Sequence, residues 1–229
     1  MCVSLWYCSE HYNIRRSCSL SRSYVVVTTK ASKTPGRPRK FDAEQAIATA
    51  QKLFHSMGYD ALSVADLTKA LGINPPSFYA AFGSKFGLYQ RVLARYSRQD
   101  AIPFADILRA DRPVAQCLTE VLNEAARRYV ADPITSGCMV VEGTHCDDRE
   151  ARDAACELHQ AAERMIREFI ARQYPEQAER LTDFIATVMA GLSARARAGY
   201  SEARLRETVR MCAAVLEQAL PVDAGARQE

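Results

Sequence analysis

Between Phe41 and Tyr96 the chain is cut into short lengths by residues that start and stop helices. Asp42, Ser63 and Ser84 can each accept free N–H groups of a first helical turn, with Gln45 as the capping-box partner of Asp42. Gly58 and Gly72 supply the backbone freedom at which a helix closes. Pro75-Pro76 suits another first turn, capped by Asn74, because a missing N–H costs nothing there. Four small helices follow from this punctuation. Ala46, Ile47, Ala50, Leu53, Phe54 and Met57 give the first its apolar face, and Val64, Leu67, Ala70 and Leu71 the second. The third runs from Pro75 to about Phe82. The fourth runs past Tyr96 with Leu88, Val92 and Leu93 inward.

Further along, longer helices are predicted at 104–110, 113–131, 148–173, 175–198 and 201–220, with Pro or Gly at most junctions. Residues 135–146 fit either a short strand or a helix start. Other strand signals are nearly absent, so the class is all-α. The expected architecture is an N-terminal three-helix helix-turn-helix domain (37–97, motif 63–82) and a helical C-terminal domain (98–229), to which the resemblance described below assigns ligand binding and dimerisation. No apolar run approaches the roughly 18 residues a membrane span needs, which excludes a transmembrane helix and a membrane partner.

The net charge of +3 hides an asymmetry. Residues 1–97 carry 13 Lys and Arg against 5 Asp and Glu, whereas 98–229 carry 17 against 22. A basic front suits a polyanion. The eight cysteines are scattered without a Cys-x-x-Cys pair, which points to a reducing, cytoplasmic setting. Residues 1–36, rich in Ser and Tyr, read as a disordered extension and not a signal peptide, with a start of translation near Val27 as the alternative.

A helix-turn-helix needs a tight turn and a third helix that presents side chains to the major groove. The Ser63, Gly72 and Phe82 spacing meets that demand, although a plain three-helix bundle meets it too. Leu53-Phe54, Gly58-Tyr59 and Ser63-Val64-Ala65-Asp66-Leu67, followed by Leu71-Gly72-Ile73-Asn74 and Ser77-Phe78-Tyr79-Ala80-Ala81-Phe82-Gly83-Ser84-Lys85, resemble the N-terminal domain of TetR/AcrR transcriptional regulators, among them a ComR-like branch. The resemblance covers about 60 residues. It departs at Ala81, where many members have a phosphate-contacting His.

The resemblance implies phosphate contacts from Ser63, Tyr79 and Lys85, and base reading by Ser77 and Ala80 with Pro75 and Pro76 at the entrance. Such a reading head is mostly apolar. Phe78 and Phe82 are expected in the core. Ahead of the first helix, Lys33-Thr34-Pro35-Gly36-Arg37-Pro38-Arg39-Lys40 resembles an AT-hook, with Arg37, Arg39 and Lys40 toward a minor groove; a solvated basic linker is the alternative.

The resemblance further implies a ligand-responsive regulator, most simply a repressor, that binds a near-palindromic DNA operator as a homodimer. Leu181, Phe184, Ile185, Val188, Met189 and Leu192 form one apolar stripe, and Leu205, Val209, Cys212, Leu216 and Leu220 another, suited to a subunit interface or to internal core. Tyr129, Met139, Met165, Phe169 and Met189 are the candidate lining of a small-molecule effector cavity. No resident cofactor is expected. The alternative is a Cu or Zn site from Cys138, His145, Cys146, Cys156 and His159, since thiolate with imidazole suits those ions; some family members with a similar Gly-Cys step respond to copper. Thiol oxidation is a further alternative. A cysteine enzyme lacks an orienting group and oxyanion donors in register, and a helical scaffold leaves the basic front unused.

Overall fold

The computed structural model describes residues 42–221. The expected tail, the early start site, and Arg37, Arg39 and Lys40 lie outside the described residues. Ten α-helices and no strand occur among those described. α1 (Ala43–Met57), α2 (Val64–Leu71), α3 (Pro75–Phe82) and α4 (Lys85–Gln99) begin at the caps that the sequence marks. Asp42 accepts from the N–H groups of Glu44 and Gln45, Asn74 from Ser77, and Ser84 from Gly87. Gly72 closes α2 in the left-handed conformation at φ 66°, a region that glycine enters without steric cost.

The remaining helices are α5 (Phe104–Ile107), α6 (Val114–Arg128), α7 (Met139–Gly143), α8 (Arg149–Ala171), α9 (Ala178–Arg197) and α10 (Glu202–Ala219). A 3-10 turn, Pro175–Gln177, precedes α9 where continuous helix was expected. α5 is a single turn, shorter than the spacing predicted, because the backbone leaves helical geometry at Leu108. The ambiguous stretch after residue 135 forms α7. α1 packs on α4, α4 on α8, and α6 on both α9 and α10. The domain boundary expected between residues 97 and 98 therefore falls inside a helix that packs on both sides of it.

Burial departs from simple periodicity at several positions. Met57 and Ala70 point outward, whereas Gln51, His55 and Thr68 are buried. Thr68 Oγ1 donates to the Ala65 carbonyl within its own helix, whereas Gln51 and His55 have distant partners. Gln51 Nε2 donates to Asp100 Oδ2 at 2.7 Å, and Arg95 donates to Gln51 Oε1 at 2.8 Å. His55 Nε2 lies 3.1 Å from the carbonyl of Gly137, and Arg197 donates to the His55 carbonyl at 2.9 Å. The same arginine pairs with Glu142. On the other side of α1, Asp60 accepts the N–H groups of Asp147 and Asp148 at 2.8 and 3.3 Å.

The apolar stripes of α9 and α10 are spent within the chain. Leu181, Ile185, Leu192, Leu205, Val209, Cys212, Leu216 and Leu220 are buried, and Phe184, Val188 and Met189 are half-buried against the same core. Of the two readings of these stripes, internal core is the one their burial within the chain fits. On α10, Met211 and Val215 instead remain exposed, at 75% and 50%.

Two outcomes test this packing. A Cβ at Gly143 would stand 2.5 Å from the Tyr89 hydroxyl and 2.7 Å from the Ala155 Cβ. Gly143→Ala should therefore cost about 1–3 kcal/mol in chemical denaturation, as overpacked cores do. Burial lowers the His55 pKa from its ordinary 6.5, with the Arg197 charge acting in the same direction and the Gly137 carbonyl against it. A histidine kept neutral by folding stabilises above its unfolded pKa, and that contribution is lost as pH falls below about 6.5. Melting temperatures measured from pH 7.5 to 5 should fall more steeply for the natural chain than for His55→Gln.

Candidate nucleic-acid interface and ligand cavity

α3 is anchored from one side only. Phe78 and Phe82 are buried, with ring centroids 5.4 Å apart, and hold the helix to the core. The opposite face exposes Pro75, Pro76, Ser77, Tyr79 and Ala80. Tyr79 is 51% exposed and sets its ring at 88° to Phe78. The face carries no charge, so it can follow a groove by shape and by hydroxyl contacts but not by Coulomb attraction.

The flanking sites are already occupied. Ser63 caps α2 through a reciprocal box with Asp66: the Asp66 N–H donates to Ser63 Oγ at 3.1 Å, and the Ser63 N–H donates to Asp66 Oδ2 at 3.0 Å. The Ser63 hydroxyl donates to the same oxygen at 2.5 Å. These bonds hold the Asp66 carboxyl below its usual pKa. The sequence reading offered the Ser63 hydroxyl and amide directly to a phosphate. In the structure both are given to Asp66, so a phosphate would have to take them over from an anion. Lys85, in the first turn of α4, holds its ammonium 3.9 Å from the centre of the Tyr59 ring, a cation–π contact. No acid stands in that first turn, which leaves the N-terminal end of α4 favourable to anions.

Farther along α4, a cavity of about 100 Å³ opens between α4, α6, α7, α8 and α9. Tyr96, Tyr129, Cys138, Val141, Ile166 and Met189 line it, with Asp100, Arg128, His159 and Glu163 among its polar groups. Two of the five residues expected from sequence, Tyr129 and Met189, are there. Met139 is buried beside Phe54 and Tyr89 in a different hollow, because α7 turns it the other way. Met165 and Phe169 border a groove next to Phe104 and Leu108, with Met165 43% exposed. Tyr96, Asp100, Arg128, His159 and Glu163 were not singled out from sequence. A tyrosine on the inner stripe of α4 is the one signal that could have found any of them.

The Tyr96 hydroxyl donates to Cys138 Sγ at 3.5 Å, and the buried Tyr129 lines the same cavity. Burial raises both phenol pKa values well above 10. The Cys138 N–H donates to Ser193 Oγ at 2.9 Å.

The five thiols and imidazoles proposed for a metal do not converge. Cys138 and His159 face the cavity, and His159 Nε2 lies 3.3 Å from Glu163. Cys146 lies in the hollow beside Tyr59, where burial pushes its thiol pKa up. His145 is exposed, with Nδ1 near Thr144 Oγ1 and the Val141 carbonyl. Cys156 is half-buried on α8. Among the described residues no group of three or more His, Cys, Asp or Glu side chains is arranged to hold a metal ion. Closeness along the chain misled here: the turn after α7 and the rotation of α8 direct the five side chains to different places.

Known proteins match this arrangement. A profile described as "Bacterial regulatory proteins, tetR family" matches residues 46–92. The HTH-type transcriptional repressor BdcR of Escherichia coli (strain K12) is 55% identical over 195 residues, covering 85% of this chain and 99% of that protein. The repressor ComR of the same organism is 30% identical over 191 residues, covering 79% and 91%. A solved structure of a cysteine-substituted TetR family regulator, CifR, complexed with 26-bp operator DNA superposes with a TM-score of 0.71 at 34% identity, covering 78% of this chain and 98% of that one. The punctuated helices, the α3 face and the helical body beyond it belong together: the chain is a member of the TetR family of transcriptional regulators.

Proposed function

We propose that the chain is a homodimeric repressor that binds a near-palindromic operator through α3 and leaves it when a small molecule fills the cavity at Tyr96 and Tyr129. The α3 face carries the reading: two buried phenylalanines fix the helix while Pro75, Pro76, Ser77, Tyr79 and Ala80 stand free for a groove. BdcR and ComR, its relatives, are named repressors, and CifR is bound to operator DNA. No helix among the described residues is long and apolar enough to cross a membrane. The reading needs neither catalysis nor a resident cofactor, and it places the protein in the cytoplasm.

One short recognition helix reads few bases, so two copies on one duplex face are required for a specific site. Met211 and Val215 of α10, with Thr187 and Gly191 exposed on α9, offer an uncharged surface for the second copy. α4 joins the two functions. It carries Lys85 at its start and Tyr96 in its last turn, so a shift forced at the cavity reaches the DNA side through one rigid helix. Release requires only that the ligand bind the DNA-incompetent conformer more tightly. Regulation through the Cys138 thiol is a second reading, favoured by its place in the cavity. Cu or Zn regulation has less support, since the thiols and imidazoles are dispersed.

Fluorescence anisotropy on the gene's own upstream DNA tests the proposal. The natural chain should bind with a steep dependence on salt. Lys85→Ala, and Arg37→Ala in the basic arm, should each reduce the slope of log K against log salt by about one unit. Absence of binding at low salt would overturn the proposal. Met211→Glu combined with Val215→Glu should convert a dimer to a monomer in sedimentation and weaken operator binding at least tenfold.

A further inference from the structure

The cavity contains a mismatch of hydrogen-bonding strength. Tyr96 and Tyr129 bury two phenol groups in the cavity that Cys138 lines, and the Tyr96 hydroxyl donates to Cys138 Sγ at 3.5 Å. Phenols are strong donors, whereas a thiol sulfur is a weak acceptor. A good donor therefore has a poor acceptor, with a second buried phenol lining the same space, in a site otherwise walled by Val141, Ile166, Met189 and similar apolar groups. Buried donors that are poorly satisfied favour any ligand atom that accepts more strongly.

The charged groups at the cavity are committed elsewhere. Arg128 pairs with Glu124 at 2.5 Å and donates to the Asp100 carbonyl. Asp100 accepts from Gln51 and pairs with Arg95. Glu163 faces His159. An anionic ligand would find Arg128 already paired, and would enter at a desolvation cost that the apolar walls cannot offset. Size sets the last limit. An apolar cavity of about 150 Å³ admits benzene, so about 100 Å³ holds at most one six-membered ring or a short branched chain.

We infer that the effector site takes a small, uncharged, mainly apolar molecule bearing one accepting oxygen, such as a ketone or aldehyde, with that oxygen received by the Tyr96 and Tyr129 hydroxyls in place of Cys138 Sγ. The inference deepens the effector reading and rests on it. It also explains how occupancy is felt. Releasing Cys138 from Tyr96 frees the residue whose N–H is held by Ser193, and whose neighbour Gly137 is bonded to His55 on α1.

The test uses the full chain and three ring compounds of similar shape: cyclohexanone, methylenecyclohexane, in which CH₂ replaces the oxygen, and cyclohexanecarboxylate. Binding is followed by ligand-detected NMR, and release of operator DNA by anisotropy. Tyr129→Phe and Tyr96→Phe keep the ring and delete the donor, so each serves if the other fails to fold. The ketone should bind, its carbonyl ¹³C resonance should move downfield, and each substitution should weaken it at least fivefold. Methylenecyclohexane affinity should change less than twofold, and the carboxylate should not bind. Binding of the carboxylate alone, or of none of the three, overturns the inference. Equal effects of the substitutions on ketone and hydrocarbon also overturn it, but leave the cavity standing as an apolar effector site. Tyrosine-dependent ketone binding with no change in the operator complex upholds the ligand class and overturns the effector reading.

Discussion

The dipeptide Gly137–Cys138 is the joint on which the structure turns. At φ 79° Gly137 adopts a conformation open to glycine, and a Cβ there would meet Ser193 Oγ at 2.9 Å and Arg197 Cγ at 3.0 Å. Its carbonyl reaches His55 on α1, the next N–H reaches Ser193 on α9, and the next side chain lies under Tyr96 and Tyr129. One turn of backbone therefore faces α1, α9 and the cavity at once. A buried carbonyl left without a donor is costly, which holds this joint in place.

What was legible in the sequence was local. A cap acts on the next three residues, so Asp42, Ser63, Asn74 and Ser84 could be found without the fold. The inward Phe78 and Phe82 and the outward Tyr79 follow from spacing on one short helix, and the exposed face of α3 came with them. The long-range polar contacts were hidden, since Gln51 and His55 find their partners 49 and 82 residues later. On a helix they look like surface residues. The cavity failed for a related reason: Met139, Met165 and Met189 are equivalent in composition, and only the rotation of α7, α8 and α9 decides which one faces the space. The cluster of thiols and imidazoles shows the reverse error, in which neighbours along the chain were taken for neighbours in space.

The split of charge along the chain takes on a physical meaning beside the α3 face. An uncharged recognition helix gains nothing from a phosphate field and discriminates by fit. Attraction to the duplex must then come from its surroundings, such as Lys85 and the N-terminal end of α4. Affinity and selectivity are thereby assigned to different residues, which lets either be altered without the other.

The Ser63–Asp66 box adds a term of opposite sign. Asp66 is an anion fixed at the helix end where a phosphate would otherwise dock, and it acts as a tethered competitor whose effective concentration dilution cannot lower. The carboxylate that stabilises the first turn of α2 therefore opposes any second anion at the same helix end, so one group sets both the local fold and the local field.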